Sequence, residues 1–177
     1  SALKNHKAVY CEKPLALHPD EIDEIESLLK EADTPLLTVG YNRRFAPMAL
    51  ELTQFIQARS EPVFIQYRVN AGFLPITHWL HDPDQGGGRI IGEGCHFIDF
   101  LTFLVGSPPT AISAVGLPDH EKYHQDNVLM TLKYPDGSVG TISYLANGNK
   151  NSSKERVEVF TGGRIAVLDD FRSLERI

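Results

Sequence analysis

Apolar residues follow two different patterns along this chain. Ahead of residue 45, short apolar runs flank a helical stripe; from residue 63 onward, alternation dominates. Ala8-Val9-Tyr10-Cys11 predicts a short strand that ends at Glu12-Lys13-Pro14. Ile22, Ile25, Leu28, Leu29 and Ala32 then recur at helical spacing and predict a helix with one buried stripe. Asp20, Glu21, Asp23 and Glu24 crowd its first turns, where acid suits the positive end of the helix dipole. After Thr34-Pro35, the run Leu36 to Tyr41 predicts a second strand, apolar on both faces. Strand, helix and doubly buried strand make a βαβ unit of a parallel sheet. Two strands leave both faces and both edges of such a sheet uncovered. The pattern therefore predicts further strands from upstream of Ser1 or from another chain, and a sequence that is a piece of a longer one.

Beyond Arg44 the periodicity changes. Ala46 to Arg59 predicts a helix carrying Leu50, Phe55 and Ile56. Val63 to Asn70 alternates, with Val63, Ile65, Tyr67 and Val69 on one face and Phe64, Gln66, Arg68 and Asn70 on the other, which predicts a strand with one packed face. A loop rich in Pro, His and Gly fills residues 71 to 88, and a helix is expected from about Arg89 to Val105. Ile112 to Leu117 predicts one further strand. Val128 to Tyr134 and Val139 to Leu145 predict a hairpin around Pro135-Asp136-Gly137. Val157 to Phe160 and Ile165 to Leu168 predict another, closed at Gly162-Gly163. Strands gathered after helices give an α+β class: an open, mostly antiparallel sheet with helices on one face, preceded by the βαβ piece. The boundary falls near residue 45, giving regions 1–45 and 46–177.

Composition narrows the function classes. Charged residues are 23% of the 177, as in ordinary globular domains, so a folded chain is expected. A net charge of −6 argues against nucleic-acid binding, which needs a basic surface, although Arg43 and Arg44 are compatible with one phosphate group. No apolar run approaches the ~20 residues of a membrane helix. Two cysteines, Cys11 and Cys95, are too few for a disulfide framework and read as reduced core thiols, so a cytoplasmic protein is expected.

Two segments can carry chemistry. Lys13 follows the carboxyl end of a predicted parallel strand, the end at which open α/β sheets bind ligands. An amine there can exchange a proton with a hydroxyl, with Glu12 fixing it; an ordinary surface lysine before a turn-forming proline accounts for the same residues. In the helix after Gly86-Gly87-Gly88, a projection at 100° per residue puts Arg89, Glu93, His96, Phe100 and Phe103 on one stripe. Ile90, Gly94, Phe97, Ile98, Leu101, Leu104 and Val105 gather opposite. The two aromatics suggest that the polar stripe also faces protein or ligand, and His96 is open to a structural or a catalytic role. The three glycines lack the preceding strand of a phosphate-binding fingerprint and are expected to turn the chain sharply. Gly94, costly within a helix, is expected where backbones pack closely. His78, His81, Cys95 and His96 have incomplete spacing for zinc, and no metal is expected. No Gly-x-Ser-x-Gly elbow suggests a serine hydrolase.

Three motifs in order, Tyr10-Cys11-Glu12-Lys13-Pro14, Gly40-Tyr41-Asn42-Arg43-Arg44-Phe45, and Gly86-Gly87-Gly88 leading to His96-Phe97-Ile98-Asp99, resemble the Gfo/Idh/MocA oxidoreductases over nearly the whole chain. The resemblance implies a Rossmann domain ending in residues 1–45, its pyrophosphate-binding half upstream, and a substrate and dimerisation domain in 46–177. It implies NAD or NADP as cofactor and a sugar, polyol or nucleotide-sugar as substrate, with homo-oligomers formed through the open sheet face. It implies Lys13 and His96 as the acid/base pair, a Lys13-Pro14 bond that is often cis, and Glu12, Lys13, Pro14, Asn42 and Arg43 at the cofactor. Arg44, Asn70, Trp79, Glu93 and Asp99 are assigned to the substrate side. The family's aspartate four residues before the histidine is Gly92 here, and Glu93 stands beside it as a possible substitute. A non-catalytic dimerising scaffold built on the open sheet is the alternative.

Overall fold

The computed structural model describes residues 2–31 and 36–177. Ala32 of the predicted stripe and Thr34-Pro35 lie outside the described residues. Strand β1 (Val9–Cys11) and strand β2 (Leu37–Val39) pair in parallel, Val9 opposite Leu37, and helix α1 (Pro19–Glu31) connects them. The βαβ unit is therefore present, but its expected burial is not. No residue of α1 is buried, Ile22 is exposed, and β2 is only partly covered. Two three-residue strands offer too little area to cover an apolar stripe and two sheet faces.

Beyond helix α2 (Pro47–Gln57), a seven-stranded sheet dominates. Its strands are β3 (Phe64–Asn70), β4 (Ala111–Gly116), β5 (Asn127–Lys133), β6 (Val139–Leu145), β7 (Glu155–Thr161), β8 (Arg164–Asp169) and β9 (Ser173–Arg176). Their order is β4-β5-β6-β3-β7-β8-β9, antiparallel throughout except for the central parallel pair β3–β6. β9 has one apolar residue, Leu174, and no pattern announces it; it forms by pairing along β8. Gly137, Gly162 and Gly163 take positive φ in the two hairpins, as the turns require.

Alternation sets which face is buried. Ile65, Tyr67 and Val69 of β3, Ile142 and Tyr144 of β6, Val157 and Val159 of β7 and Ala166 and Leu168 of β8 form one core with the helices. Helix α2 contributes Ala49, Leu52 and Ile56, whereas Leu50 is exposed. Helix α3 (Cys95–Val105) contributes Phe97, Phe100, Leu101, Leu104 and Val105. Burial of each large apolar side chain contributes about 1.5–3 kcal/mol. Phe64, Leu129 and Phe160 remain exposed, and the β3 and β7 residues Phe64 and Phe160 lie directly opposite one another. Asn70 departs from the alternation: it is buried at the end of β3.

The helix expected over Arg89 to Val105 is two pieces. Ile90–Gly94 form a π turn, and α3 follows. A π turn holds one extra residue, so it breaks the phase between its two flanks. The 100° projection therefore does not carry across it from Arg89 and Glu93 to His96. Within α3, Phe100 faces protein, as the aromatics of the stripe suggested: it is fully buried in the core, where its ring meets Tyr67 edge-on at 5.9 Å. Close backbone approach is also displaced from Gly94. A Cβ at Gly94 would meet Ile90 at an ordinary 3.4 Å, whereas one at Gly92 would stand 2.7 Å from Leu80 Cδ1, and one at Gly86 would collide with the Leu80 backbone. Gly87 and Gly88 take positive φ in the turn into the helix.

Candidate active site

Lys13 follows the carboxyl end of β1, and its peptide bond to Pro14 is cis. Its amine donates to the Gly92 carbonyl at 2.8 Å, across 79 residues of sequence. Gly92 lies within the π turn, and His96 comes one turn later on α3. Lys13 and the His-bearing turn therefore share one locality. The carbonyl that holds the amine belongs to the residue at which the family pattern has an aspartate. A side chain there would press on Leu80 and lie 3.2 Å from the Gly86 carbonyl, and the lysine is held by backbone. Glu12 does not take that part. Its carboxylate accepts from the Tyr10 hydroxyl at 3.4 Å.

His96 is partly buried, with Tyr41 edge-on at 6.0 Å. Its Nδ1 is buried without a hydrogen-bond partner. Burial, then the positive charges of Arg43 and Lys13, push its pKa down to about 4. The imidazole is therefore neutral at pH 7 and able to accept a proton. Neighbouring Cys95 is a free thiol that burial pushes up, so it stays protonated and is a poor nucleophile.

Glu93 turns away from Lys13. Its Oε2 accepts from Arg89 at 3.1 Å and from the Tyr144 hydroxyl, which rises from β6. Burial alone would raise the Glu93 pKa, but the bonds from Tyr144 and Arg89 outweigh it and hold the carboxylate ionised. Both bonds fall on one oxygen, and the side chain keeps 28% exposure. Arg89 also donates to the Gly72 carbonyl at 2.6 Å, which ties the π turn to the start of the 71–88 loop.

The two arginines are engaged by carboxylates. Arg43 makes a two-pronged pair with Glu155 of β7 at 2.8 and 2.6 Å, and the Tyr67 hydroxyl donates to the same carboxylate. Arg44 makes a second such pair with Asp99 of α3 and lies over the Phe103 ring. Planar guanidinium–carboxylate forks are strong and directional, so these pairs fasten segment 42–45 against the sheet and α3. Arg44 and Asp99, both assigned to the substrate, thus hold one another. Asn42 is exposed. The Asn70 Nδ2 donates to the Asn149 carbonyl at 2.8 Å, and its Oδ1 is buried without a hydrogen-bond partner. Trp79, 58% exposed, leads a short 3-10 turn (Trp79–His81) whose Leu80 packs beneath Gly86 and Gly92.

Sequence reasoning gave Tyr41 no role beyond its place in a motif, and missed Tyr67, Tyr144 and Glu155, because a tyrosine or an end-of-strand acid within an alternating run looks like ordinary strand composition. Among the described residues no cluster of three or more His, Cys, Asp or Glu side chains could hold a metal ion. No helix among them is long and apolar enough to cross a membrane.

Comparison with known proteins defines the class. The sequence model of the GFO/IDH/MocA C-terminal domain matches residues 59–165, and the chain belongs to that family. An inositol 2-dehydrogenase of Paenarthrobacter aurescens is 30% identical over 151 residues, which span 78% of this chain and 43% of that protein. A trans-1,2-dihydrobenzene-1,2-diol dehydrogenase of mouse is 29% identical over 145 residues, 81% of this chain and 43% of the relative. The chain thus spans less than half the length of these curated relatives. Among solved structures, an oxidoreductase domain protein from Kribbella flavida matches with a TM-score of 0.80 at 19% identity, covering 99% of this chain and 53% of that one, a likeness of fold. The α+β class, with its mostly antiparallel seven-stranded sheet, is that of the family.

Proposed function

We propose that the polypeptide containing this chain is an NAD- or NADP-dependent dehydrogenase that acts on a secondary alcohol of a sugar, polyol or nucleotide-sugar, with Lys13 and His96 at the reacting hydroxyl. The observation that carries the reading is the 2.8 Å bond from Lys13 to Gly92. It joins the strand end where nucleotides bind in parallel α/β sheets to the turn that leads into His96. Residues 1–45 are the end of the cofactor domain in this reading, and 46–177 the substrate domain.

The division of labour follows from the two environments. An ammonium has three donors, and one of them is fixed on Gly92, so Lys13 keeps others for a substrate oxygen. His96, held neutral, takes the hydroxyl proton as the alcohol carbon is oxidised. Glu93 offers its unspent Oε1 to a neighbouring substrate hydroxyl, and Trp79 offers an apolar wall. Glu12, Lys13 and Pro14, at the carboxyl end of β1, are assigned to the nicotinamide end of the cofactor, with Asn42 exposed shortly after β2. Arg43 acts there through its charge, since Glu155 holds its guanidinium. The cofactor supplies the hydride acceptor.

In the complete polypeptide with NAD+ or NADP+ and a panel of polyols and sugars, Lys13→Met should lower kcat by about 100-fold or more. A variant that retains the wild-type rate would defeat the assignment. Residues 1–177 alone should show no turnover and no tight saturable binding of NADH or NADPH by fluorescence.

A homo-oligomer formed through the outer sheet face is proposed on the exposed Phe64, Val115, Leu129 and Phe160 of that face. The charge of −6 and the two free cysteines suit a cytoplasmic setting.

A further inference from the structure

One buried cluster has no part in the acid/base pair. His81, at the end of the 3-10 turn in the 71–88 loop, faces Asp126, at the end of the 117–126 loop. Their side chains are 4% and 0% exposed, and Nε2 of one lies 3.8 Å from Oδ2 of the other, too far for a hydrogen bond. Both ring nitrogens, both carboxylate oxygens and Nε of the buried Arg89 have no hydrogen-bond partner. Burial pushes the Asp126 carboxyl above the usual carboxylate range, and His81, Arg89 and the His124 amide offset this only in part.

Each such atom is costly when sealed without a partner. The four that lie on the two loops make the closed contact between those loops a weak one. Its remaining fastenings are slight. Phe73 meets Tyr123 edge-on at 6.0 Å, Lys122 lies over both rings, and the His124 ring stands edge-on to His81 at 5.7 Å. His120, Glu121 and Gln125 of the second loop all adopt left-handed φ, which adds strain.

The cluster borders the proposed site. Asp126 precedes β5, and its carbonyl accepts from Ala146, two residues after Tyr144 on β6. Arg89 lies over the Tyr144 ring, binds Glu93 and electrostatically favours the charged Asp126. A line of polar groups thus runs from Lys13 and His96 through Glu93, Tyr144 and Arg89 to Asp126 and His81.

We propose that Asp126 and His81 are specificity residues that receive the far hydroxyls of a polyhydroxylated substrate when the two loops part. The inference rests on the dehydrogenase reading above. A carboxylate accepts from two vicinal hydroxyls, and an imidazole both accepts and donates, so the pair matches a vicinal diol. Their partners are then supplied by the substrate, which is why the protein provides none.

The test uses the complete polypeptide with its nicotinamide cofactor and two probes, myo-inositol and trans-1,2-cyclohexanediol, the second lacking far hydroxyls. Wild type should prefer myo-inositol. The double variant Asp126→Leu/His81→Phe should lose that preference by at least about tenfold, through KM, with the diol kinetics unchanged. Its melting temperature should equal or exceed that of wild type, because an apolar pair avoids the buried charge. Myo-inositol should raise the melting temperature of wild type but not of the variant. If the variant does not fold, Asp126→Asn, which keeps the volume, carries the same comparison. A folded variant that keeps the preference, or a wild type without one, overturns the inference and leaves the dehydrogenase reading standing. Oxidation of neither probe, nor of any other polyol or sugar, would overturn both.

Discussion

His96 is a residue whose neighbours decide its charge. The unfolded chain protonates it near 6.5, whereas the folded protein resists to about 4. The unfolded state therefore binds the proton first, and acid draws stability away as pH falls from 6.5 toward 4. His96→Gln should lose less stability between pH 7 and pH 4.5 than wild type does, measured as the shift in urea midpoint. Glu155 works in a lower window. Burial opposes its charge, but the bonds from Arg43 and Tyr67 prevail and hold its carboxyl below 4.5. Its contribution is present above that pH and fades as pH falls through the folded value. Glu155→Gln leaves the 15%-exposed Arg43 without its partner and should cost about 3 kcal/mol near pH 7 by the same measurement. Nothing in the sequence joins residues 43 and 155. Lys13 and His96 could be picked out as chemically able, and only the family resemblance, not their local pattern, put them in one locality.

At the scale of elements, hairpins and strands follow the alternation of residues, since a half-buried strand writes its period into the sequence. Turns were equally legible at Gly137 and Gly162-Gly163. The helix after Gly88 was not, because the π turn at Ile90–Gly94 resets its phase and no residue pattern marks an inserted residue. That turn carries the Gly92 carbonyl that binds Lys13 and places Glu93 against Arg89 and Tyr144. Its glycines differ in what they demand. Gly94 has ordinary negative φ, and a Cβ there meets Ile90 only at van der Waals contact, so Gly94→Ala should raise stability by up to about 1 kcal/mol. Gly86→Ala would drive a Cβ into the Leu80 backbone and should cost about 1–3 kcal/mol or more. Thermal unfolding of the two variants checks both signs.

For the whole molecule, the outer sheet face and the thin β1–β2 pair raise the question of what covers them. Phe64 of β3, Leu129 of β5 and Phe160 of β7 are exposed at 42%, 43% and 37%, an apolar surface spread over three strands of one face. If the proposed self-association uses this face, Phe64→Arg should weaken it by at least about tenfold in sedimentation velocity, with the fold unchanged by circular dichroism. The sequence by itself determined the α+β class, the strand periods, the hairpins and the residues able to do proton chemistry, because these depend on local propensity and on which side of a strand or helix is apolar. Tertiary structure decided the central parallel β3–β6 pair, the β9 edge, the lysine's carbonyl partner and the ion pairs of Arg43 and Arg44. Those depend on contacts between residues tens of positions apart, which no local pattern encodes.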